Sequence, residues 1–572
     1  MAKKKLAHRL LSAMVSLLSH ARRPPPPLST SRHAAAQAPP QCAHPRTAAH
    51  HRNGCPPAAA AGAAAPAVVV VDVDTALLRS PSLFPYFMLV ALEAGGFLRG
   101  LALLLLYPVV LFAGGGGGAA VRVMAAAAFC GLRASRFRAG RAVLPKWLME
   151  EVAAEGLAAA RAAAGAAGRV VCVTAMPRVM VEGFLREYLE VDAVVAREMK
   201  VAWGFYTGLM EDAGEHEPAA MAMAAAAEGG GGKETVDVVG FTGSMEFLDH
   251  PVSRCCKEVY VVSPEEKSRW RPLPRGKYPK PMVFHDGRLA FLPTAAAAAA
   301  MFAWLPLGAA LGAARLAVAL AVPYRYSTPI LAATGMSWRL KGERPPLPSA
   351  GGRRRGQLFV CNHRTLIDPV YVSVALDRPV RAVSYSLSRL SELISPIGRT
   401  VRLTRDRASD GAVMARLLAG GDLVVVCPEG TTCREPYLLR FSPLFAELSD
   451  DVVPVGIAVE TSMFYATTAG GLKCFDPLYY MINPRMCYTV QFLGKVDTSP
   501  ARDGAAPSTD VANLVQRKMG EALGYGCTML TRKDKYLMLA GNDGVVRTDD
   551  KSAGGGAAAG AGKKAKTTEK NN

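Results

Sequence analysis

Two series of short apolar runs, each closed by turn or charged residues, divide the chain. In the first half, Val68 to Val71 leads into Asp72 and Asp74, Arg169 to Val173 ends on Thr174, and Val236 to Phe241 ends in Thr242-Gly243-Ser244. In the second half, Phe359 to Cys361, Leu423 to Cys427 and Val453 to Ile457 show the same form. Runs this short, rich in β-branched residues and bounded by turn formers, predict buried strands. Alanine- and leucine-rich stretches between them predict helices, so each half is an α/β unit. The first runs over 67–290 and the second over 324–500, with a helical extension over 501–545. An Ala/Met run ending in Gly230 to Gly232 predicts a flexible insertion in the first half.

Two longer uncharged stretches change this picture. Leu101 to Val121 has about 21 residues and Ala290 to Ala314 about 25, against the ~20 a membrane-spanning helix needs. Both contain proline, and the first carries Gly114 to Gly118, so a straight span, a bent re-entrant hairpin and a soluble core helix all fit. The second stretch, within 290–323, joins the two halves. Arg122, Arg133, Arg136, Arg138 and Arg141 crowd one flank of the first stretch, which places that flank in the cytosol. Residues 1–66 and 546–572, biased toward Pro, Ala, Arg and His and toward Gly, Ala, Lys and Thr, predict disordered ends. The basic start and short apolar core from Lys3 to Leu18 fit a signal or transit peptide and equally a membrane-surface helix.

Charge narrows the partners. The net charge is +20 over 572 residues and mean hydropathy is +0.16, which suits a lipid bilayer with anionic headgroups and phosphorylated substrates. The Lys and Arg are dispersed, without a zinc-finger or stacking-aromatic pattern, so nucleic acid is excluded as the expected partner. Twelve cysteines occur with no Cys-x-x-Cys pair, which reads as reduced thiols near the cytosol.

Candidate chemistry sits at the ends of the strand runs. In Phe359 to Pro369 a histidine, His363, precedes an aspartate, Asp368, by five residues. Neutral imidazole can take a proton from an alcohol, and a carboxylate on its other nitrogen fixes the tautomer. Asp368 before Pro369 also fits a helix N-cap, and the two roles are compatible. Downstream, Pro428-Glu429-Gly430-Thr431 follows a strand run, and glycine with hydroxyl residues there lets backbone amides approach an anion. Between the two lie Arg402, Arg405 and Arg407, whose guanidinium groups match phosphate oxygens or a solvated surface alike.

Base, arginines, glycine turn and the final run with Pro454, in this order, resemble the four blocks of the glycerolipid acyltransferases. The resemblance implies that His363 and Asp368 are the catalytic dyad. It also implies that Arg402, Arg405, Arg407, Glu429, Gly430 and Thr431 contact glycerol 3-phosphate, and that Pro454 shapes the pocket. The stretches Leu83 to Gly96, Val173 to Glu182, Lys277 to Pro281, His285 to Leu289 and Thr531 to Gly541 are similar to the land-plant glycerol-3-phosphate acyltransferases of cutin and suberin synthesis. That likeness implies acyl-CoA as co-substrate, the hydroxy- and dicarboxylic forms included, an endoplasmic reticulum membrane, and transfer to the sn-2 hydroxyl to give lysophosphatidic acid. A lysophosphatidic acid acyltransferase is the alternative within the same blocks.

The first half resembles haloacid-dehalogenase (HAD)-type phosphatases. Asp72 and Asp74 match the nucleophile and the acid–base of that group, Thr174 its phosphate-contacting hydroxyl and Asp249 a later acid. Gly243-Ser244 stands where a metal carboxylate is expected, and either Lys200 or Lys233 fits the family lysine. The resemblance therefore implies a vestigial phosphatase, with magnesium required only if that half is active, in which case 2-monoacylglycerol would be released.

Overall fold

A computed structural model describes residues 50–57, 68–114, 117–166, 168–211, 238–346, 356–384, 400–470 and 475–541. The Lys3 to Leu18 segment, the insertion around Gly230 with Lys233, and the 546–572 tail lie outside them. In the first half, β1 (His50–Asn53), β2 (Val68–Asp72), β3 (Arg169–Val173), β4 (Ala193–Val195), β7 (Val238–Thr242) and β8 (Glu258–Val261) form a sheet in the order β1-β8-β7-β2-β3-β4. Each of its pairings is parallel. The five residues of β2 are all buried, as expected of a central strand covered on both faces. A hairpin of β5 (Met199–Ala202) and β6 (Phe205–Met210) stands apart from this sheet.

One expectation at the amino end is corrected. His50–Asn53, inside the 1–66 segment expected to be disordered, adds an edge strand in register with Glu258–Val261. Backbone pairing needs no apolar pattern, and the strand is held further by Arg52 on Glu258 at 2.9 Å and by Gly54 N on Val261 O.

In the second half, β9 (Met336–Lys341), β10 (Gln357–Cys361), β11 (Arg381–Ser384), β12 (Thr400–Arg402), β13 (Leu423–Val426), β15 (Asp451–Thr461) and β16 (Met486–Phe492) run in the order β12-β11-β13-β10-β15-β16-β9, with β17 (Val496–Asp497) on β15. The strands from β10 to β13 and β15 are parallel, while β16 runs antiparallel to β15. A two-stranded ribbon of β14 (Tyr437–Leu438) and β18 (Gly526–Cys527) lies beside it. Pro454 is buried in an interior strand, where its missing N–H should break the ladder. It sits where β15 passes from β17, paired at Val452, to β16, paired from Val455, so no bond is lost.

The stretch from Leu101 to Val121 is bent. It divides among helices Phe97–Leu105, Tyr107–Phe112 and Gly118–Phe129. The second stretch forms one helix, Ala295–Ala321, with Pro306 inside it, and among the described residues this is the one helix long and apolar enough to cross a membrane. It does not project freely. Trp304 Nε1 donates to Ile482 O at 2.8 Å, and Arg315 Nη1 donates to Met481 O at 2.6 Å and Asn483 O at 2.7 Å. A Cβ at Gly312 would collide with Ile482, and one at Gly308 with the Trp304 ring that bonds Ile482 O.

The two sheets do not have two separate cores. Cys433, Leu439, Phe464, Ile482 and Leu539 of the second half pack into the apolar cluster of the first. A buried charge cluster lies in the same seam, where Glu435 accepts from Lys146 Nζ at 2.8 Å and Arg275 Nη1 at 2.7 Å and meets His285 Nδ1 at 3.0 Å.

Candidate active site

Parallel strands bring their carboxyl ends to one sheet edge, and loops leaving that edge form the crevice typical of open α/β folds. His363 leaves β10, the Glu429-Gly430-Thr431 turn leaves β13 beside it, and Arg402 ends β12, all on that edge. Strand order sets the spacing. β12 is three strands from β10, roughly 14 Å at the usual strand separation.

The dyad forms. His363 Nδ1 lies 2.9 Å from Asp368 Oδ2. Asp368 is fully buried, and its oxygens also accept from Arg364 N at 2.6 Å, Thr365 N at 2.9 and 3.0 Å and Thr365 Oγ1 at 2.9 Å. Asp368 opens helix Asp368–Leu376 as its first residue, while Ile367 holds the N-cap position without a side-chain bond. The N-cap role is thereby excluded, and the carboxylate is committed to the histidine and the loop before it. Thr365 in turn meets Tyr488 Oη at 2.5 Å, and Asn362 is pinned to β15 by paired bonds with Ile457.

Burial disfavours the His363 imidazolium, while Cys427 and Asp368 favour it, and the balance lies above the ordinary 6.5. Cys427 acts this way only as thiolate, yet its hydrogen bond with Cys361 and its burial hold it well above 9. At neutral pH the upward pull therefore comes from Asp368. His363, Asp368 and Cys427 also present donor atoms within 4.8 Å of one another. A metal there would have to take the Asp368 oxygens from four hydrogen bonds.

The glycine turn is held from several sides. Gly430 has φ 66°, the left-handed region that glycine enters without strain. Glu429, expected at the substrate, is only 4% exposed, and its two oxygens accept from His363 N at 2.7 Å and Leu439 N at 2.9 Å. It ties the turn to the dyad. Thr431 and Thr432 are buried beside Lys535 of helix Arg532–Ala540. Arg364 donates through Nη1 to Cys433 O and to Glu435 O, and Cys433 N donates to His363 O at 2.9 Å.

The arginines lie at the far end of the edge and are exposed. Arg407 pairs with Glu447. Arg405 has φ 70°, an uncommon conformation for a residue with a Cβ. Buried Asp410 holds it there by accepting from Thr404 N at 2.7 Å, Thr404 Oγ1 at 3.0 Å and Arg405 N at 3.0 Å. Pro454 lies opposite Val360 in the sheet, buried, and short of the level of His363. Asp410, Thr365, Arg364 and Lys535 were not singled out from the sequence, where they stand among other polar, charged or small residues and carry no distinguishing signal.

In the first half, Asp72, Asp74, Thr174 and Asp249 line one cavity of about 370 Å³ with Thr75, Arg197, Ser244, Glu246 and His250. Asp74 accepts from Thr174 Oγ1 at 2.6 Å and Ala175 N at 2.7 Å. Burial and then the neighbouring Asp72 push it up to about 7. Asp72 Oδ2 accepts from Thr75 Oγ1 and from Thr242 Oγ1 at 2.8 Å. These residues do not fit magnesium. One expected carboxylate is replaced by Gly243-Ser244, and two hydroxyl donors occupy the Asp72 oxygen a cation would need. Of the two lysines expected there, Lys200 is exposed on β5 and Lys233 lies outside the described residues; Lys267, on helix Pro264–Ser268, has a charge that acts on both aspartates.

The family described as "Glycerol-3-phosphate acyltransferase RAM2-like, HAD-like domain" matches residues 68–262, and the "Acyltransferase" family matches 345–458. "Probable glycerol-3-phosphate acyltransferase 3" of Arabidopsis thaliana is 49% identical over 83% of this chain and 90% of its own length. "Glycerol-3-phosphate acyltransferase RAM2" of Petunia hybrida is 41% identical over 83% of this chain and 98% of its own. The solved acyltransferase PlsC of Thermotoga maritima covers 39% of this chain and 91% of its own at 13% identity, with a TM-score of 0.24 too low to argue from. With two relatives above 40% identity along most of their length, and both domain families matched in order, the chain belongs to the plant glycerol-3-phosphate acyltransferase family.

Proposed function

We propose that this chain is a membrane-bound glycerol-3-phosphate O-acyltransferase that moves an acyl group from acyl-CoA to the sn-2 hydroxyl, giving lysophosphatidic acid. The observation that carries the reading is the pairing of partly exposed His363 with buried Asp368 at a sheet edge shared with the glycine turn and the arginines. With Nδ1 held by Asp368, Nε2 is the nitrogen left for the acceptor hydroxyl. His363 takes that proton as the oxygen attacks the thioester carbonyl; the coenzyme A thiolate leaves and receives the proton from the imidazolium. Such general-base help is worth about 10²- to 10⁴-fold.

Substrate placement rests on the same edge. Arg405 carries the phosphate role best, because a strained backbone maintained by a buried aspartate suits a positioned side chain. Arg402 and Arg407 flank it, Gly430 and Thr431 face the phosphate from the turn, and Pro454 shapes the pocket floor. Holding the phosphate fixes the hydroxyl near His363, turning affinity into orientation. The acyl groups are those of cutin and suberin, hydroxy- and dicarboxylic acids included, so the product enters extracellular lipid polyester synthesis.

The membrane attachment follows from surface chemistry. Leu98, Leu105 and Phe112 are exposed on helices Phe97–Leu105 and Tyr107–Phe112, Leu307 and Leu320 on helix Ala295–Ala321, and Ile330 on the next helix, Tyr324–Ala333. Trp304 and Arg315 fasten helix Ala295–Ala321 over roughly 16 Å, against the ~30 Å of a bilayer core. The helix therefore lies along the acyltransferase half and beds its open face in the lipid of the endoplasmic reticulum, with the site on the cytosolic side. The HAD-like half is inactive as a phosphatase, which the misfit to magnesium supports.

The test incubates microsomes carrying the chain with labelled glycerol 3-phosphate and a hydroxylated acyl-CoA, under conditions that suppress acyl migration. The expected product is sn-2 lysophosphatidic acid. Labelling only when lysophosphatidic acid is supplied would identify the alternative acceptor, and monoacylglycerol that disappears in Asp72→Asn would identify a working phosphatase.

A further inference from the structure

Turn residues Thr431 and Thr432 pose a question of hydrogen-bond polarity. Lys535 Nζ donates to Thr432 O, to Thr432 Oγ1 at 3.1 Å and to Thr431 Oγ1 at 3.4 Å. An ammonium has three donors and no acceptor. Both hydroxyl oxygens must therefore accept from it, and each hydroxyl proton is left to donate elsewhere. Among the described residues neither hydroxyl has an acceptor, and the amides of Thr431 and Thr432 have none either. All of these donors are next to Gly430, at a turn only 8% exposed at each threonine, where an unanswered donor is costly. They call for an anionic oxygen.

We infer that Lys535, on the C-terminal helix, is a positioning residue for the phosphate of glycerol 3-phosphate. It turns the Thr431 and Thr432 hydroxyls into outward donors that bind the phosphate together with the turn amides. Lys535 acts through the turn hydroxyls it engages and not by direct contact with the substrate. Its charge strengthens the donors it engages and adds attraction for a dianion. The helix is built to hold it: Thr531 and Asp534 form a reciprocal cap, Arg440 N donates to Leu530 O at 2.9 Å, and Leu539 anchors the far end in the apolar core of the first half. The stretch Thr531 to Gly541 thus acquires a role in the acyltransferase site, about a hundred residues from the turn it supports.

This inference rests on the acyltransferase reading, and the experiment separates the two. Full-length Lys535→Met, Lys535→Arg, Thr431→Val, Thr431→Ser and the Lys535→Met/Thr431→Val double variant are assayed in microsomes, varying each substrate in turn. Lys535→Met and Thr431→Val should each raise the KM for glycerol 3-phosphate about tenfold while the KM for acyl-CoA stays within about twofold. Thr431→Ser and Lys535→Arg should keep most of the wild-type affinity, and the double variant should be little worse than either single one. An equal rise in the KM for acyl-CoA would assign the donors to a coenzyme A phosphate. A loss of kcat alone, or additive effects in the double variant, would reduce Lys535 to a structural clamp. Either result overturns the inference and leaves the acyltransferase reading standing.

Binding is read separately, as stabilisation of the purified full chain against heat by glycerol 3-phosphate or inorganic phosphate. Stabilisation that is present in wild type and lost in Thr431→Val supports the phosphate seat even if no acyl transfer to glycerol 3-phosphate is seen. Equal stabilisation of wild type and Thr431→Val refutes it, and remains decisive if Lys535→Met fails to fold.

Discussion

Replacing Glu435 by alanine should cost about 3–5 kcal/mol, the range for leaving a buried charge without its partner. Glu435 and Lys146 have side chains 5% and 9% exposed and meet at 2.8 Å. Burial opposes charge on Glu435, but His285, Lys146 and Arg275 outweigh it and hold its carboxyl well below the usual range. Lys146 likewise suffers from burial yet stays above its ordinary value because of Glu435. At 2.8 Å and an effective dielectric near 20 their attraction is about 6 kcal/mol before desolvation is subtracted. Arg275 is half exposed and adds little. His285, pulled down to about 3 by burial and then Lys146, stays neutral and supplies no compensating charge. At ~2–4 °C per kcal/mol for units of this size, the apparent Tm should fall by about 6–20 °C. The assay is thermal unfolding of detergent-solubilised full-length protein. Lys146→Met should destabilise similarly, and the Lys146→Met/Glu435→Gln pair should recover part of the loss. A fall under about 2 °C in both single variants would refute a dry, tightly coupled seam.

His363→Ala should lower acyl transfer by about 10²- to 10⁴-fold with membrane association unchanged in a flotation assay; wild-type rates would remove the base. Asp368 raises the His363 pKa and only neutral imidazole accepts a proton, so kcat/KM should rise with pH along a limb centred above 6.5. Asp368→Asn should move that limb downward, and a wild-type limb at or below 6.5 would remove the Asp368 effect. Arg405→Ala should raise the KM for glycerol 3-phosphate more than that for acyl-CoA, and the reverse order would take the phosphate from Arg405. Stability owed to Glu435 should persist above about pH 4.3 and fade as pH drops toward its depressed folded value, read as Tm against pH; a Tm unchanged through that window would contradict the depression.

Much of the site was legible because its elements are local. A strand that ends in His-x₄-Asp, or in Pro-Glu-Gly-Thr, carries its chemistry within a few residues of its own carboxyl end, and the parallel sheet gathers those ends on one edge. The edge strand β1 was missed because its pairing uses backbone groups and its side chains, His50 to Asn53, show no apolar alternation. The acceptor bonds of Glu429, from His363 N and Leu439 N, were not legible, because sequence records a carboxylate but not its partners. Lys146 and Glu435 stand 289 positions apart, a separation at which no periodicity links two residues.

That seam bears on why a phosphatase-like half persists without fitting its metal. The dyad loop is tied to the seam: Arg364, next to His363, donates to the carbonyls of Cys433 and Glu435, Cys433 N donates to His363 O, and Glu435 is the acid gripped by Lys146 and Arg275 from the first half. Because Arg364 holds backbone oxygens, substituting the Glu435 side chain disturbs the loop only through displacement of the turn. Removing the first half would do more. It would strip the cations from Glu435 and uncover Cys433, Leu439 and Phe464, all buried in the shared apolar core. A HAD-like half that had lost its chemistry would on this account still be required as the wall against which the acyltransferase turn is built, and selection on acyl transfer alone would be enough to retain its core.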